Sequence, residues 1–485
     1  MLITGLAVGA VLGFVMQRGR FCVTGFLRDI FTQRTWRGVT ALLVVIAVHA
    51  VGLTALTSTG VIDPDVSDFA PAAVVIGGFV FGLGIVLAGG CASGTWYRSG
   101  EGLVGSWIAL AMYALSSAAM NYGPLSGMNE WLGGYTVEAT TVPETLGVTP
   151  WIFVVLIVVV TALMVRHYVS RDRSVPKPAT LAPKKTGIAH LLTEKPWHFY
   201  VTAAIVGVIG VIAWPLSAAT GRNSGLGITT PSADLASWLT TANPANWNWG
   251  VLLVLGILVG SYIAAKSSGE FRVRVPDGRQ AVRSVVGGVM MGVGAVWAGG
   301  CTVGNGMVQT SLFSYQGWVA IVAIALGVGA AAKIWLKPDQ PYNPQDDGPS
   351  GRADDDLAPV APVAPTEPGA AGTAGTSGSA VLTAPTLTAS ALGVVGSTAR
   401  DKGKLTDLGN GRWKMDTLGA VCPFPLIEAK DAIKRIDVGE ELVIEFDCTQ
   451  ATDALPRWAA TDGHEVTQFE TAGDAGWVIT VKRGA

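Results

Sequence analysis

Apolar residues along this chain gather into long runs, with neither the alternation of a strand nor the single stripe of a surface helix. Runs approaching the roughly 20 residues that span a bilayer fall at 2–16, 38–56, 71–90, 102–119, 150–166, 198–214, 248–265, 283–300 and 317–335. They predict nine helical crossings, several of them short. The first run has the character of a signal sequence, but Arg18, Arg20 and Arg28 follow it and no small-residue cleavage site is present. It is therefore read as a membrane segment.

Beyond residue 337 the pattern changes twice. Residues 338–404 turn to Pro, Ala, Gly, Thr and Ser, with an acidic patch at Asp354, Asp355 and Asp356 and no helical or strand period. This predicts a disordered tether, whose ~65 residues reach roughly 40–50 Å in root-mean-square terms. Val381 to Val395 is mildly apolar, but Pro385 and its small residues argue against a tenth crossing. From Trp413 an ordinary globular pattern returns. Lys414 to Leu418 and Glu441 to Asp447 read as strands, Pro425 to Ile436 and Thr452 to Asp462 as helices, the latter closed by Gly463. Gln468 to Glu470 and Gly476 to Lys482 read as a terminal hairpin. The expected fold is a polytopic all-α membrane protein (1–337) followed by the linker and a small two-layer α/β domain (405–485).

Composition agrees: 50% apolar and 14% charged residues leave too little polar surface to solvate one globule of 485 residues. The net charge of −2 is unevenly spread and by itself predicts no partner, nucleic acid included. The loops 18–37, 166–195 and 266–283 are basic, whereas 57–71 and 121–150 hold acidic residues without Lys or Arg. Nine alternating crossings place every basic loop on one side, which the positive-inside rule makes the cytoplasm. The N-terminus is then outside and the C-terminal domain cytoplasmic.

Gly77 to Cys91 and Gly287 to Cys301 match at nearly every glycine, and both end in Ala-Gly-Gly-Cys. This is an internal duplication, and the expected crossings make its copies antiparallel, as in transporters built from inverted repeats. The halves are 1–119 and 198–336, joined by the crossing at 150–166. Gly5 to Leu53 has a break at Gly19 to Gly25 that contains Cys22, and its counterpart, Tyr200 to Ala265, breaks at Gly225 to Pro231. Three of four breaks carry a cysteine.

Paired glycines let the backbone leave the helix at membrane depth, where irregular chain survives only when buried or lining a cavity. Glycine-rich stretches also serve close helix packing, and single membrane cysteines are usually small apolar fillers. Three cysteines at corresponding breaks favour a path lined by Cys22, Cys91 and Cys301. Gly89, Gly90, Ser93, Gly94, Thr95, Gly299, Gly300, Thr302, Gly304 and Asn305 support it. Amides of the following half-helices favour an anion, and thiols add weak donors without fixed charge. No His or carboxylate accompanies the thiols, and His49 reads as a packed or surface residue, so no metal is expected. Arg18, Arg20 and Arg98 read as anchors at the cytoplasmic border.

These membrane motifs, with Gln17 to Cys22 and Gly-Cys-Thr-x-Gly, resemble the YeeE/YedE family of sulfur-compound transporters over about residues 1–336. The resemblance implies thiosulfate uptake, with Cys22, Cys91 and Cys301 handing the anion along by S–H contacts. In the C-terminal domain, Cys422-Pro423-Phe424-Pro425 joins the first strand to the first helix. A thiol at a helix N-terminus is favoured as the thiolate, so Cys422 is a nucleophile or carrier. Asp416, this motif and Gly463-His464 resemble the TusA-like sulfur carriers, which implies a persulfide on Cys422. Cys448 reads as a structural residue at a strand end, with a second catalytic or resolving thiol as the alternative.

The combined expectation is thiosulfate import followed by attack of Cys422 on the sulfane sulfur, which adds a thiosulfate-cleaving activity to a transporter. No cofactor is expected. Partners are thiosulfate, membrane lipid and cytoplasmic sulfur-acceptor proteins. A membrane-anchored sulfurtransferase without transport and a transporter of another small sulfur compound are the competing readings.

Overall fold

The structure is a computed structural model and describes residues 1–337 and 405–484, except 67, 175, 184, 421, 474 and 475. The expected tether lies outside the described residues. The membrane part is helical: α1 (Ile3–Arg18), α2 (Val23–Thr32), α3 (Arg37–Ser58), α4 (Pro71–Leu87), α5 (Ala92–Gly100), α6 (Val104–Asn121), α7 (Ser126–Gly133), α8 (Val142–Leu146) and α9 (Pro150–Ser174). After these come α10 (Gly187–Thr193), α11 (Phe199–Ala218), α12 (Thr229–Thr241), α13 (Trp249–Ser268), α14 (Gly278–Trp297) and α15 (Tyr315–Trp335), with a π-helical turn at Gly304–Gln309.

Among the described residues, seven stretches are long and apolar enough to cross a membrane: 3–32, 71–100, and those of α3, α9, α11, α13 and α15. The chain is thus a multi-pass membrane protein. The other two expected crossings coincide with α6 and α14, helices of 18 and 20 residues. Serines and Tyr113 dilute the apolar character of α6, as Arg279 and Arg283 do at the start of α14.

Glycine contacts reveal the direction of packing. A Cβ on Gly77 would stand 2.7 Å from the Gly294 carbonyl, and one on Gly294 2.6 Å from that of Gly77. Gly84 and Gly287 mirror each other in the same way, at 2.8 Å. The duplicated segments therefore cross each other antiparallel, glycine against glycine, at a separation any side chain would prevent. By contrast, Gly9 faces Leu253 and Gly13 faces Ile257, so α1 and α13 run parallel. Exchanging α1, α2, α3, α4 and α6 for α11, α12, α13, α14 and α15 reproduces the pattern of neighbours, with α5 matched by the π turn. α9, packed on α3, stands outside this relation.

The C-terminal domain has a five-stranded sheet of β1 (Thr406–Gly409), β2 (Arg412–Thr417), β3 (Glu441–Phe446), β4 (Glu465–Ala472) and β5 (Gly476–Lys482), ordered β1-β2-β3-β5-β4. β2 and β3 are parallel, and the other neighbouring pairs are antiparallel. Helices α16 (Phe424–Ala432) and α17 (Ala451–Thr461) pack on it. Alternate residues Leu442, Ile444 and Phe446 meet Leu426, Leu455 and Trp458 in its core. The sequence pattern missed β1, an exposed strand with no apolar alternation. Its one signal was Asn410-Gly411, a pair suited to a hairpin turn.

Candidate substrate path and carrier site

Each Ala-Gly-Gly-Cys segment ends its helix through a left-handed glycine, Gly89 (φ 72°) after α4 and Gly299 (φ 69°) after α14. A Cβ there would be strained, so the break depends on glycine. Two residues further on stands the thiol, Cys91 in the first break and Cys301 in the second. Cys91 is the N-cap of α5 and Cys22 that of α2. Cys301 precedes the π turn, where the Val303 amide donates to its sulfur at 3.4 Å. All three are buried, with exposures of 2%, 0% and 1% for Cys22, Cys91 and Cys301.

The first two thiols converge. A Cβ on Gly94 would lie 3.3 Å from Cys91 Sγ and 3.8 Å from Cys22 Sγ, so the missing side chain leaves room between them. Cys91 interacts with Cys22 on one side and with Thr302, the neighbour of Cys301, on the other. Tyr113 of α6 is buried and donates to the Thr229 hydroxyl at 2.9 Å. The duplicated breaks thus meet at Cys91. Tyr113 had no sequence signal that separates it from a packing residue.

The supporting residues divide by what they touch. Ser93 lies 3.5 Å from Cys91 Sγ. Thr95 turns its hydroxyl to the Ala92 carbonyl at 2.7 Å. Asn305 donates to the carbonyls of Ala298 (2.8 Å) and Gly300 (2.9 Å) and accepts from Gln316 (3.0 Å), which fixes the second break. In the first break, Arg98 donates to the Gly89 carbonyl. Gly90 and Gly300 flank these clamps, and Gly304 has open space beside it.

The arginines do not anchor to a lipid border. Arg98 Nη2 is 3.9 Å from Cys22 Sγ, which places a fixed charge at the thiols. The sequence signal for it was a lone ionisable residue next to a membrane break. Arg18 and Arg20 converge on Glu270, at 3.4 and 3.1 Å, and Gln17 donates to the same carboxylate at 2.7 Å. Burial pushes Glu270 up, but Arg20, Arg18 and Gln17 outweigh it and hold the carboxyl below its ordinary value. Glu101 is the opposite case: burial, reinforced by the charge of Glu270, raises it to about 7. His49 is buried in α3, and a Cβ on Gly210 would stand 2.9 Å from its ring.

The carrier domain sits on this charged surface. Arg20 donates to the Thr452 hydroxyl, Gln450 donates to Tyr97 at 3.4 Å, and Arg274 lies 3.7 Å from the Asp447 carboxylate. Arg283 lies over the Phe424 ring, 5.7 Å from its centre. Cys422 and Cys448 line one cavity with Ala88, Arg98, Glu101 and Arg274. Cys422 also faces Leu87 and Gly89 across a smaller one. Cys422 therefore shares cavities with Arg98 and with the end of α4 that leads to Cys91.

Within the carrier, Cys422 follows β2 and Cys448 follows β3, and the structure joins them in a disulfide. The parallel pairing, with Thr417 opposite Phe446, brings both strand ends to one edge. The Gly419 amide donates to Asp447 at 3.0 Å and ties the two loops together. Cys448 thus contacts Cys422, a placement that strand-end reasoning did not foresee.

The sulphur transport family profile matches residues 18–330, and the sulfurtransferase TusA profile matches residues 414–483. The chain is 50% identical over 341 residues to the thiosulfate transporter TsuA of Escherichia coli, covering 70% of this chain and 96% of that protein. It is 30% identical over 351 residues to the thiosulfate transporter TsuA of Spirochaeta thermophila, covering 70% of this chain and all of that protein. Its last part is 59% identical over 70 residues to TsuB of Escherichia coli, a candidate sulfur carrier protein, covering 14% of this chain and 93% of that one.

Proposed function

We propose, since this chain belongs to the sulphur transport family, that it carries thiosulfate across the cytoplasmic membrane past Cys301, Cys91 and Cys22 and delivers the sulfane sulfur to Cys422 of its fused carrier. The carrying observation is the cavity that Cys422 shares with Arg98, whose guanidinium also reaches Cys22. Cys91 has Cys22 on one side and Thr302, the neighbour of Cys301, on the other, which supports the order Cys301, Cys91, Cys22 and then Cys422. In nine alternating crossings, α1 and α13 run parallel and α4 and α14 antiparallel, in keeping with the packing directions above. The N-terminus then lies outside and the carrier inside.

The anion meets neutral S–H donors and half-helix amides through the core, then a guanidinium at the inner end. Weak donors hold a soft, polarizable oxyanion without trapping it. At the carrier, the reduced Cys422 thiolate attacks the outer sulfur of thiosulfate. A Cys422 Sγ–S bond forms, the S–S bond of thiosulfate breaks, and sulfite leaves with the electron pair. Charge balances, because one thiolate and one dianion give one persulfide anion and sulfite dianion. Consumption of thiosulfate at the inner mouth favours net entry, and fusion supplies an effective carrier concentration of order mM.

Radiolabelled thiosulfate uptake, in cells lacking other thiosulfate and sulfate importers, tests the path. Cys91→Ala and Cys301→Ala are expected to abolish uptake at unchanged membrane abundance. Cys422→Ser is expected to keep initial uptake and lose sulfite release from purified, reduced protein. Uptake that survives both membrane substitutions refutes the path. Sulfite release by purified wild type with no uptake in cells marks a membrane-anchored sulfurtransferase.

A further inference from the structure

The carrier holds a second thiol that the proposed reaction does not use. Cys448 follows β3 at the edge where β2 also ends, and the two cysteines have a Cα–Cα distance of 6.2 Å, within the normal range for a bonded pair. Two further contacts hold this edge in register. The Thr417 hydroxyl donates to the Glu445 carbonyl at 2.8 Å, and the Gly419 amide donates to Asp447 at 3.0 Å. Cys448 also lies in the turn that leads into α17, its carbonyl accepting from the Ala451 amide at 3.0 Å. Both cysteines line the cavity shared with the membrane domain.

From this pairing we infer that Cys448 is a resolving residue that attacks the Cys422 persulfide and releases its outer sulfur as sulfide; this deepens the proposed carrier reaction and rests on it. Cys448 Sγ bonds to Cys422 Sγ, and the bond from Cys422 Sγ to the outer sulfur breaks. The electron pair leaves on the outer sulfur, which departs as hydrosulfide with the proton of the Cys448 thiol. Persulfide anion plus thiol gives disulfide plus hydrosulfide, so atoms and charge balance. The sulfane sulfur is reduced by two electrons, and the two cysteines supply them as they are oxidised to the disulfide. In-line displacement places the leaving sulfur opposite Cys448. A dithiol reductant must then reopen the disulfide before Cys422 can attack again. On the cytoplasmic side that the proposed orientation gives, a disulfide is usually a transient, catalytic species.

The reaction therefore ends in free sulfide and sulfite, and a stored persulfide is only an intermediate. The test is a single turnover by the full-length protein, reduced with a dithiol, desalted anaerobically and mixed with thiosulfate. Sulfite, sulfide and intact mass are measured together. Wild type is expected to release about one sulfite and one sulfide per chain and to lose the mass of two hydrogens. Cys448→Ser and Cys448→Ala are expected to release the same sulfite and no sulfide, and to gain the mass of one sulfur atom. Sulfite release by these variants reports a folded, competent carrier. Sulfide at wild-type yield from both variants, or a wild type that keeps the added sulfur, overturns the resolving role. Absence of sulfite from wild type instead overturns the carrier reaction itself.

Discussion

Replacing Glu270 with glutamine tests how the membrane domain holds the carrier. This carboxylate is buried and receives Arg18, Arg20 and Gln17 at 3.4, 3.1 and 2.7 Å, respectively. Arg18 and Arg20 are 1% and 8% exposed, so neither can turn to water without moving the chain. Removing one member of a buried ion pair costs about 3–5 kcal/mol. Glutamine keeps an acceptor, which places Glu270→Gln near the lower end, ~3 kcal/mol or roughly 100-fold in an equilibrium constant. Arg20 also donates to Thr452 of the carrier, so the loss falls partly on docking. In detergent, a lower apparent melting temperature and faster alkylation of the reduced Cys422 are expected. The carboxyl is held below its ordinary value, so its contribution is complete above ~4.3 and fades as pH falls through the folded value. The variant should lack that acid-side loss. Unchanged melting and unchanged alkylation at pH 7 would refute the argument, because two buried guanidiniums would then need no counter-charge.

Glu101 should give the opposite pH dependence. Burial raises its carboxyl to about 7, so stability is greatest below the unfolded value and declines as pH rises through about 7. Glu101→Gln should flatten the melting temperature over that window, as differential scanning fluorimetry at stepped pH would read. Gly287→Ala should destabilise the crossing of the duplicated segments, since its Cβ would stand 2.5 Å from the Ala88 amide nitrogen and 2.8 Å from the Gly84 carbonyl. Overpacking of this kind costs ~1–3 kcal/mol, readable as a lower melting temperature. Gly278→Ala, with open space around the glycine, is the control and should stay near wild type.

Much of this architecture is legible along the chain because it is written locally. Long apolar runs mark the helices, Gly-Gly-Cys marks the breaks, and the match of Gly77 to Cys91 with Gly287 to Cys301 marks the duplication. Each depends on residues a few positions apart, where composition and backbone freedom decide the outcome. The Cys-Pro-x-Pro turn is local in the same sense, since a strand, a thiol and a helix start adjoin within a few residues. An exposed strand such as β1 escapes this reading because it buries nothing and so leaves no alternation.

Contacts between distant residues were decided only by the tertiary structure. An arginine beside a membrane segment can snorkel to the interface or turn inward, and the choice depends on a partner that local pattern does not encode. For Arg18 and Arg20 that partner is Glu270, about 250 residues away, and for Arg98 it is the Gly89 carbonyl across a broken helix. Cys448 is similar: as a strand end it is unremarkable, and parallel pairing of β2 with β3 brings it to Cys422. By itself the sequence determined where the helices lie, where they break and which thiols stand at the breaks, because short-range hydrophobicity and glycine freedom govern those features. Only the tertiary structure decided which charges face the thiols and which two cysteines meet, because burial of a charge and approach of two sulfurs depend on chain segments that only folding brings together.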